Sequence, residues 1–201
     1  MSSQNALLVV SFGTSVAETR RRTLGAIEEE LRSAYPDRLF FRAWTSGFLR
    51  QKVARTEGIE IDSLSRALER LREAGAEEVL VQPTHMLPGQ EYSRLRADLE
   101  RARGDFSRVL LGAPLLAERE DVIRLAGAVE EIFAPVVKEG DMLALMGHGS
   151  EGLAEAENPY LLLDSLLGEA GFHTVPLLRG LGEYPQVRQL YLRHAAGAGA
   201  L

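Results

Sequence analysis

The chain has 201 residues, 45% hydrophobic and 26% charged, with a formal net charge of −6 and no cysteine. Those values describe an ordinary globular protein, long enough to bury a proper core in one large domain or two small ones. They exclude a disulfide framework, a thiolate metal site and a cysteine nucleophile, and the acidic balance argues against a general nucleic-acid binder. An anionic small ligand stays open, because local arginines can outweigh the global sign.

The first strand is expected over Ala6–Ser11, a continuous apolar run of the kind buried on both faces of a sheet. Its exit, Phe12-Gly13-Thr14-Ser15, opens a helix. Ser15 and Glu18 have capping-box spacing there, and Leu24, Ile27, Leu31 and Ala34 form one apolar stripe ending before Pro36. A second strand follows at Leu39–Trp44, with the polar turn Thr45-Ser46-Gly47 and a short helical segment carrying Arg50, Lys52 and Arg55. Ser63 is placed to cap a helix whose Leu64, Ala67, Leu68 and Leu71 share a face and which Gly75 closes. The third strand is expected at Glu78–Pro83, with a polar exit loop from Thr84 to Tyr92. A helix to about Arg103, a strand at Arg108–Gly112 and a helix marked by Val122, Leu125, Ala126, Val129 and Ile132 come next.

Pro135–Gly140 is the best candidate for a boundary, giving an N-terminal α/β domain over 1–136 and a shortened C-terminal α/β domain over 137–201. The second domain is expected to hold a strand at Met142–Met146, a helix at about Pro159–Ala170, a strand at Thr174–Leu178 and a last helix. The alternation predicts an α/β fold: two Rossmann-like parallel-sheet units with helices on both faces, the second one truncated. No charged leader precedes the first strand and no apolar run reaches spanning length, so a cytoplasmic protein with no membrane partner is expected. A short second sheet exposes edge and apolar surface, which fits a homo-oligomer.

Several familiar sites are missing from the string. There is no G-x-G-x-x-G after the first strand and no Walker-type loop, so neither a nucleotide nor an organic cofactor is indicated. Ser150 lacks the glycine two places before it that a nucleophile elbow needs. What remains is a set of polar strand exits, which a doubly wound sheet gathers on one rim. In Asp141–Glu151 a buried strand runs into Gly147-His148-Gly149, where His148 can serve as base, metal ligand or both, or can merely pack a turn. His85 can hold a ligand or simply bond a loop carbonyl, and Glu91 and Glu183 can serve a cation or a helix dipole. His173 and His194 read as solvated surface. Such a rim suits an anionic ligand held by amides and hydroxyls, with a divalent metal handled by His and Glu.

The segments ALLVVSFGTS, RAWTSGFLRQKV, PTHMLPGQEY, GAPLL, MGHGS and GLGEYPQVRQLYLRH, in that order, resemble the anaerobic cobalt chelatase (sirohydrochlorin cobaltochelatase) family over nearly the whole chain. The resemblance implies a class II chelatase-like fold of two α/β domains. It also implies insertion of Co(II), as substrate metal, into sirohydrochlorin, an octacarboxylate tetrapyrrole. It places the family's metal ligand and proton acceptor on His148, a metal-site glutamate on Glu91 with His85 in the same loop, and under one alignment a second glutamate on Glu183. Substrate contacts are then expected from Ser11, Phe12, Gly13, Thr14, Ser15, Thr45, Ser46 and His85, with Arg42 and Arg50 nearby for the macrocycle's carboxylates. The family's second metal-site histidine has no counterpart, because the chain skips that region between Leu167 and Gly168. A degenerate, non-catalytic tetrapyrrole- or metal-binding relative is therefore the alternative reading.

Overall fold

A computed structural model describes residues 4–146 and 158–177. The elements run β1 (Gln4–Ser11), α1 (Ala17–Arg22), α2 (Leu24–Ala34), β2 (Leu39–Trp44), α3 (Gly47–Glu57), α4 (Leu64–Glu73), β3 (Ala76–Pro83), α5 (Gln90–Ala102), β4 (Arg108–Leu111), α6 (Arg119–Phe133), β5 (Leu143–Met146), α7 (Pro159–Glu169) and β6 (Thr174–Leu177). The chain divides into compact units at Met1–Ala117 and Glu118–Leu201, so that α6 belongs with the second unit.

The first unit is built on a four-stranded sheet in the order β2-β1-β3-β4, every pair parallel. Central β1 is closed on both faces, and Ala6 to Val10 expose no surface at all. That is why its sequence is an unbroken apolar run rather than an alternating one. Ala6, Leu8 and Val10 turn toward α4 and α5, where they pack with Leu64, Leu68, Leu71, Leu95 and Leu99. The stripe read from the sequence of α4 is the buried face, and Ser63 caps that helix by accepting from the Arg66 amide at 3.2 Å. Arg42, paired with Val9 across the strands, faces the other way toward α2. The expected doubly wound α/β architecture is present in this unit, with helices on both faces.

Two local readings are corrected. The expected single helix from Ser15 is two, because Thr23 leaves helical geometry (φ −111°, ψ −79°) and its hydroxyl donates back to the Thr19 carbonyl at 2.8 Å. No capping box forms at Ser15. Val16 is the N-cap, its amide donating to Thr14 Oγ1 at 3.3 Å, while the Glu18 carboxylate is held by Arg21 at 2.8 Å. In α2, Ile27 is exposed and the one buried residue is Glu28. A carboxylate survives there because Arg42 on β2 grips it through both guanidinium Nε (2.8 Å) and Nη2. At the amino end of the sheet Glu78 on β3 takes Arg38 at 2.6 Å and Arg108 at 3.3 Å, tying together the starts of three strands. Arg38 holds the Glu78 carboxyl below its ordinary range.

In the second unit β5 and β6 pair in parallel. α7 starts at Pro159 behind Asn158, whose side chain accepts from the Tyr160 amide at 3.0 Å, and buries Leu163 and Leu167. A capping box between Glu118 and Asp121 opens α6, which buries Val122 and Ala126 and leaves Ile132 exposed.

Removing Arg42 strands a buried carboxylate, whereas removing Glu28 merely frees a half-exposed guanidinium. Arg42→Ala is expected to cost about 2–3 kcal/mol of unfolding free energy and Glu28→Ala about 1 kcal/mol or less. Urea denaturation of the two variants checks the asymmetry, and equal losses would contradict it.

Candidate functional site

The order β2-β1-β3-β4 means that the chain steps from β1 to one side for β2 and then crosses to the other side for β3. The two crossovers cover opposite faces, so the loops leaving β1 and β3 part and open a crevice at their carboxyl ends. Backbone hydrogen bonds carry the sheet's register past the strand ends and fix the walls of that crevice. The Thr45 amide donates to the Ser11 carbonyl (2.9 Å), Ser46 to Phe12 (3.3 Å) and Thr84 to Val10 (2.9 Å). Leu115 and Leu116 donate to the carbonyls of His85 (2.9 Å) and Met86 (2.8 Å), which pins the β4 exit to the β3 exit.

Ser11 is fully buried, and its hydroxyl accepts from Thr84 Oγ1 at 2.9 Å across the switch point. Gly13 has φ +102°, and a Cβ there would meet the Trp44 ring at 2.5 Å; both facts restrict the position to glycine. Ser46 caps α3 by accepting from the Leu49 amide at 3.3 Å, and Thr14 Oγ1 holds the start of α1. Thr14, Ser15, Thr45 and His85 are half-buried and Phe12 is exposed. The structure thus gathers the expected substrate-side residues Ser11 to Ser15, Thr45, Ser46 and His85 at the carboxyl ends of β1, β2 and β3.

Buried polar atoms without a partner concentrate on the same rim. Among the described residues they are Trp44 Nε1, Thr45 Oγ1, Arg50 Nε and both ring nitrogens of His85. Unpaired groups of this kind cost free energy unless a water, an ion or a ligand completes the bonding. Burial pushes the His85 pKa below its ordinary 6.5, with the Glu91 charge opposing that shift. The imidazole is therefore neutral at neutral pH, with a lone pair to offer. Glu91 stands in the first turn of α5, half-buried, and is paired with Arg94 at 3.1 Å. The rim is also apolar: the four strand exits of the first unit expose the large apolar side chains Phe12, Val16, Phe48, Met86 and Leu115.

Arg42 is a correction, because it is committed to Glu28 on the flank of the sheet rather than turned to the rim. Trp44 was missed by sequence reading, and so was the hydroxyl pairing of Ser11 with Thr84, the first residue of the expected polar exit. His148 and Glu183 lie outside the described residues. Among the described residues no three His, Asp or Glu side chains converge as a metal cluster. No helix of the described residues is long and apolar enough to cross a membrane.

Fold and rim together define an open-sheet α/β protein with a crevice at the carboxyl ends of its strands. The cobalt chelatase (CbiK) family model matches residues 5–177. The chain is 36% identical over 185 residues to a sirohydrochlorin cobaltochelatase of Salmonella typhimurium, covering 92% of this chain and 68% of that protein. It is 32% identical over 155 residues to the sirohydrochlorin cobaltochelatase CbiKC of Nitratidesulfovibrio vulgaris, covering 76% of this chain and 54% of that one. A solved structure of a cobalamin (vitamin B12) biosynthesis CbiX protein from Marinobacter aquaeolei VT8 aligns with a TM-score of 0.46 at 16% identity, over 65% of this chain and 98% of that one. The chain belongs to the cobalt chelatase (CbiK) family. It spans about two thirds of the length of the first relative and about half of the second.

Two outcomes follow from this geometry. Gly13→Ala is expected to cost about 1–3 kcal/mol through strain and overpacking, with a shifted Trp44 emission; an unchanged melting temperature and spectrum would contradict the close contact. Because the folded pKa of His85 is lowered, the unfolded chain binds the extra proton as the pH falls. Stability is full above the ordinary value of 6.5 and declines toward the lowered one. His85→Gln should flatten that decline in a series of melting curves run from about pH 7 to pH 5.

Proposed function

We propose that the chain inserts Co(II) into sirohydrochlorin, as a metal chelatase of cobalamin biosynthesis acting in the cytoplasm without a nucleotide or organic cofactor. One observation carries this reading beyond family membership. The rim joins unpartnered buried polar atoms to exposed apolar side chains at each strand exit of the first unit. A flat apolar macrocycle with a polar, carboxylate-bearing edge answers both demands at once.

The reaction exchanges one dication for two pyrrolic protons, so it needs a place for the cation and bases for the protons. His85, kept neutral by burial, can accept a proton or a metal, and the Glu91 charge beside it draws a cation inward. Ser11, Phe12, Gly13, Thr14, Ser15, Thr45 and Ser46 form the bed against which the ring and its periphery lie. In this reading His148 is the principal metal ligand and proton acceptor and Glu183 adds negative charge. The hydroxyl pair Thr84–Ser11 holds the β1 and β3 exits at a fixed separation, so the bed is formed before the ligand arrives.

Anaerobic incubation with sirohydrochlorin and Co(II) should change the absorbance of the macrocycle as the metal enters. His148→Ala should slow this by about a hundredfold or more, with the far-ultraviolet circular dichroism unchanged. Full activity in His148→Ala would remove His148 from the mechanism. Spectral binding of the tetrapyrrole without metallation by the parent chain would replace the enzyme by a carrier.

A further inference from the structure

The arginines of the described residues are not equivalent. Three of them are half-buried: Arg20, Arg38 and Arg50. Arg20 is paired with Glu57 and Arg38 with Glu78. Arg50 has no carboxylate within pairing distance among the described residues, and its Nε is buried with no hydrogen-bond partner at all. Its Nη2 comes within 3.6 Å of where a Cβ on Gly47 would stand, so the guanidinium folds back over the first turn of α3. At that turn the backbone amides of Gly47 and Phe48 lack intrahelical acceptors by position, and the helix dipole favours an anion.

Two more orphans lie close to it in the chain. Thr45 Oγ1 and Trp44 Nε1 are buried and unpartnered on the two residues that end β2 and begin its exit, and Trp44 is only 1% exposed. Indole N–H and guanidinium N–H groups can only donate, and the threonine hydroxyl can donate too. The end of β2 and the start of α3 therefore form a stretch rich in donors and short of acceptors. Of the ligand groups a strand-end rim can meet, a carboxylate supplies two acceptor oxygens and one negative charge in a geometry a guanidinium matches.

We infer that Arg50, with Thr45 and the first-turn amides of α3, forms a socket for one peripheral carboxylate of the tetrapyrrole. Arg50 is then the residue that selects an acidic macrocycle over an uncharged one. The inference rests on the proposed tetrapyrrole substrate and deepens it. Arg50 is a specificity residue, not a catalytic one, because a peripheral carboxylate lies away from the pyrrole nitrogens that exchange protons for metal.

The chain carries a single tryptophan, so quenching of its emission by bound tetrapyrrole reads occupancy at the socket without any metal present. Titrations with metal-free sirohydrochlorin and with its methyl ester would be run on the parent chain, Arg50→Gln and Arg50→Lys. Arg50→Gln should bind sirohydrochlorin about tenfold or more weakly than the parent, the size expected of a charge-assisted hydrogen bond, and Arg50→Lys should recover part of the loss. The ester should bind the parent and Arg50→Gln alike. In the cobalt assay KM should rise while kcat stays nearly level. Because Nε has no partner in the free chain, Arg50→Gln should melt no lower than the parent. Equal affinity of parent and Arg50→Gln for sirohydrochlorin, or weaker binding with a lowered melting temperature, would overturn the socket. Failure of the parent to bind any tetrapyrrole would overturn the proposed function as well, whereas binding with Arg50 dependence but no metallation would overturn only the chelatase reading.

Discussion

The described part of the first unit depends on one buried strand. β1 exposes nothing from Ala6 to Val10, and it lies between β2 and β3, so both neighbours take their register from it. The same hydrogen-bonding row continues past its end, from Ser11 and Phe12 into the β2 exit and from Val10 into the β3 exit. A ligand rim built from loops would normally be soft. Here the first residues of each loop are still paired as if in the sheet, so a site made of turns inherits the rigidity of the core.

That rigidity explains why unpartnered polar atoms can persist. Trp44 Nε1, Thr45 Oγ1, Arg50 Nε and the His85 nitrogens are buried without a partner, which is uncommon in a folded chain. The chain holds them open because its backbone bonds and the Gly13–Trp44 contact leave little freedom. Buried polar groups without partners lower stability, the usual direction of compromise at sites that bind. The exposed Phe12, Phe48, Met86 and Leu115 belong to the same rim, and apolar surface gathered there is a mark of interaction sites.

Most of the fold was legible because its signals were local and unopposed. The apolar run of β1, the stripe and Ser63 cap of α4, and the alternation of strands with helices each appear in the string as in the structure. The α1–α2 break was not legible, since a threonine that bonds back to Thr19 looks like any other helical position. The burial of Glu28 was not legible for a tertiary reason: the stripe through Ile27 and Ala34 is the stronger periodic signal, and the guanidinium that rewards a buried glutamate arrives from β2. Of the site, the strand exits could be read from spacing and turn residues. Arg42 and Arg50 looked alike in the sequence and were separated only by the acid that one has and the other lacks.

The two ends of the sheet in the first unit are treated in opposite ways. At the amino end a single carboxylate, Glu78, is shared by Arg38 and Arg108, so the charged groups at the starts of β2, β3 and β4 are engaged with one another. At the carboxyl end the hydrogen-bonding capacity is left unspent. Cohesion and recognition are thus assigned to opposite poles of the same strands, and a lineage can retune its choice of guest at one pole without loosening the knot at the other.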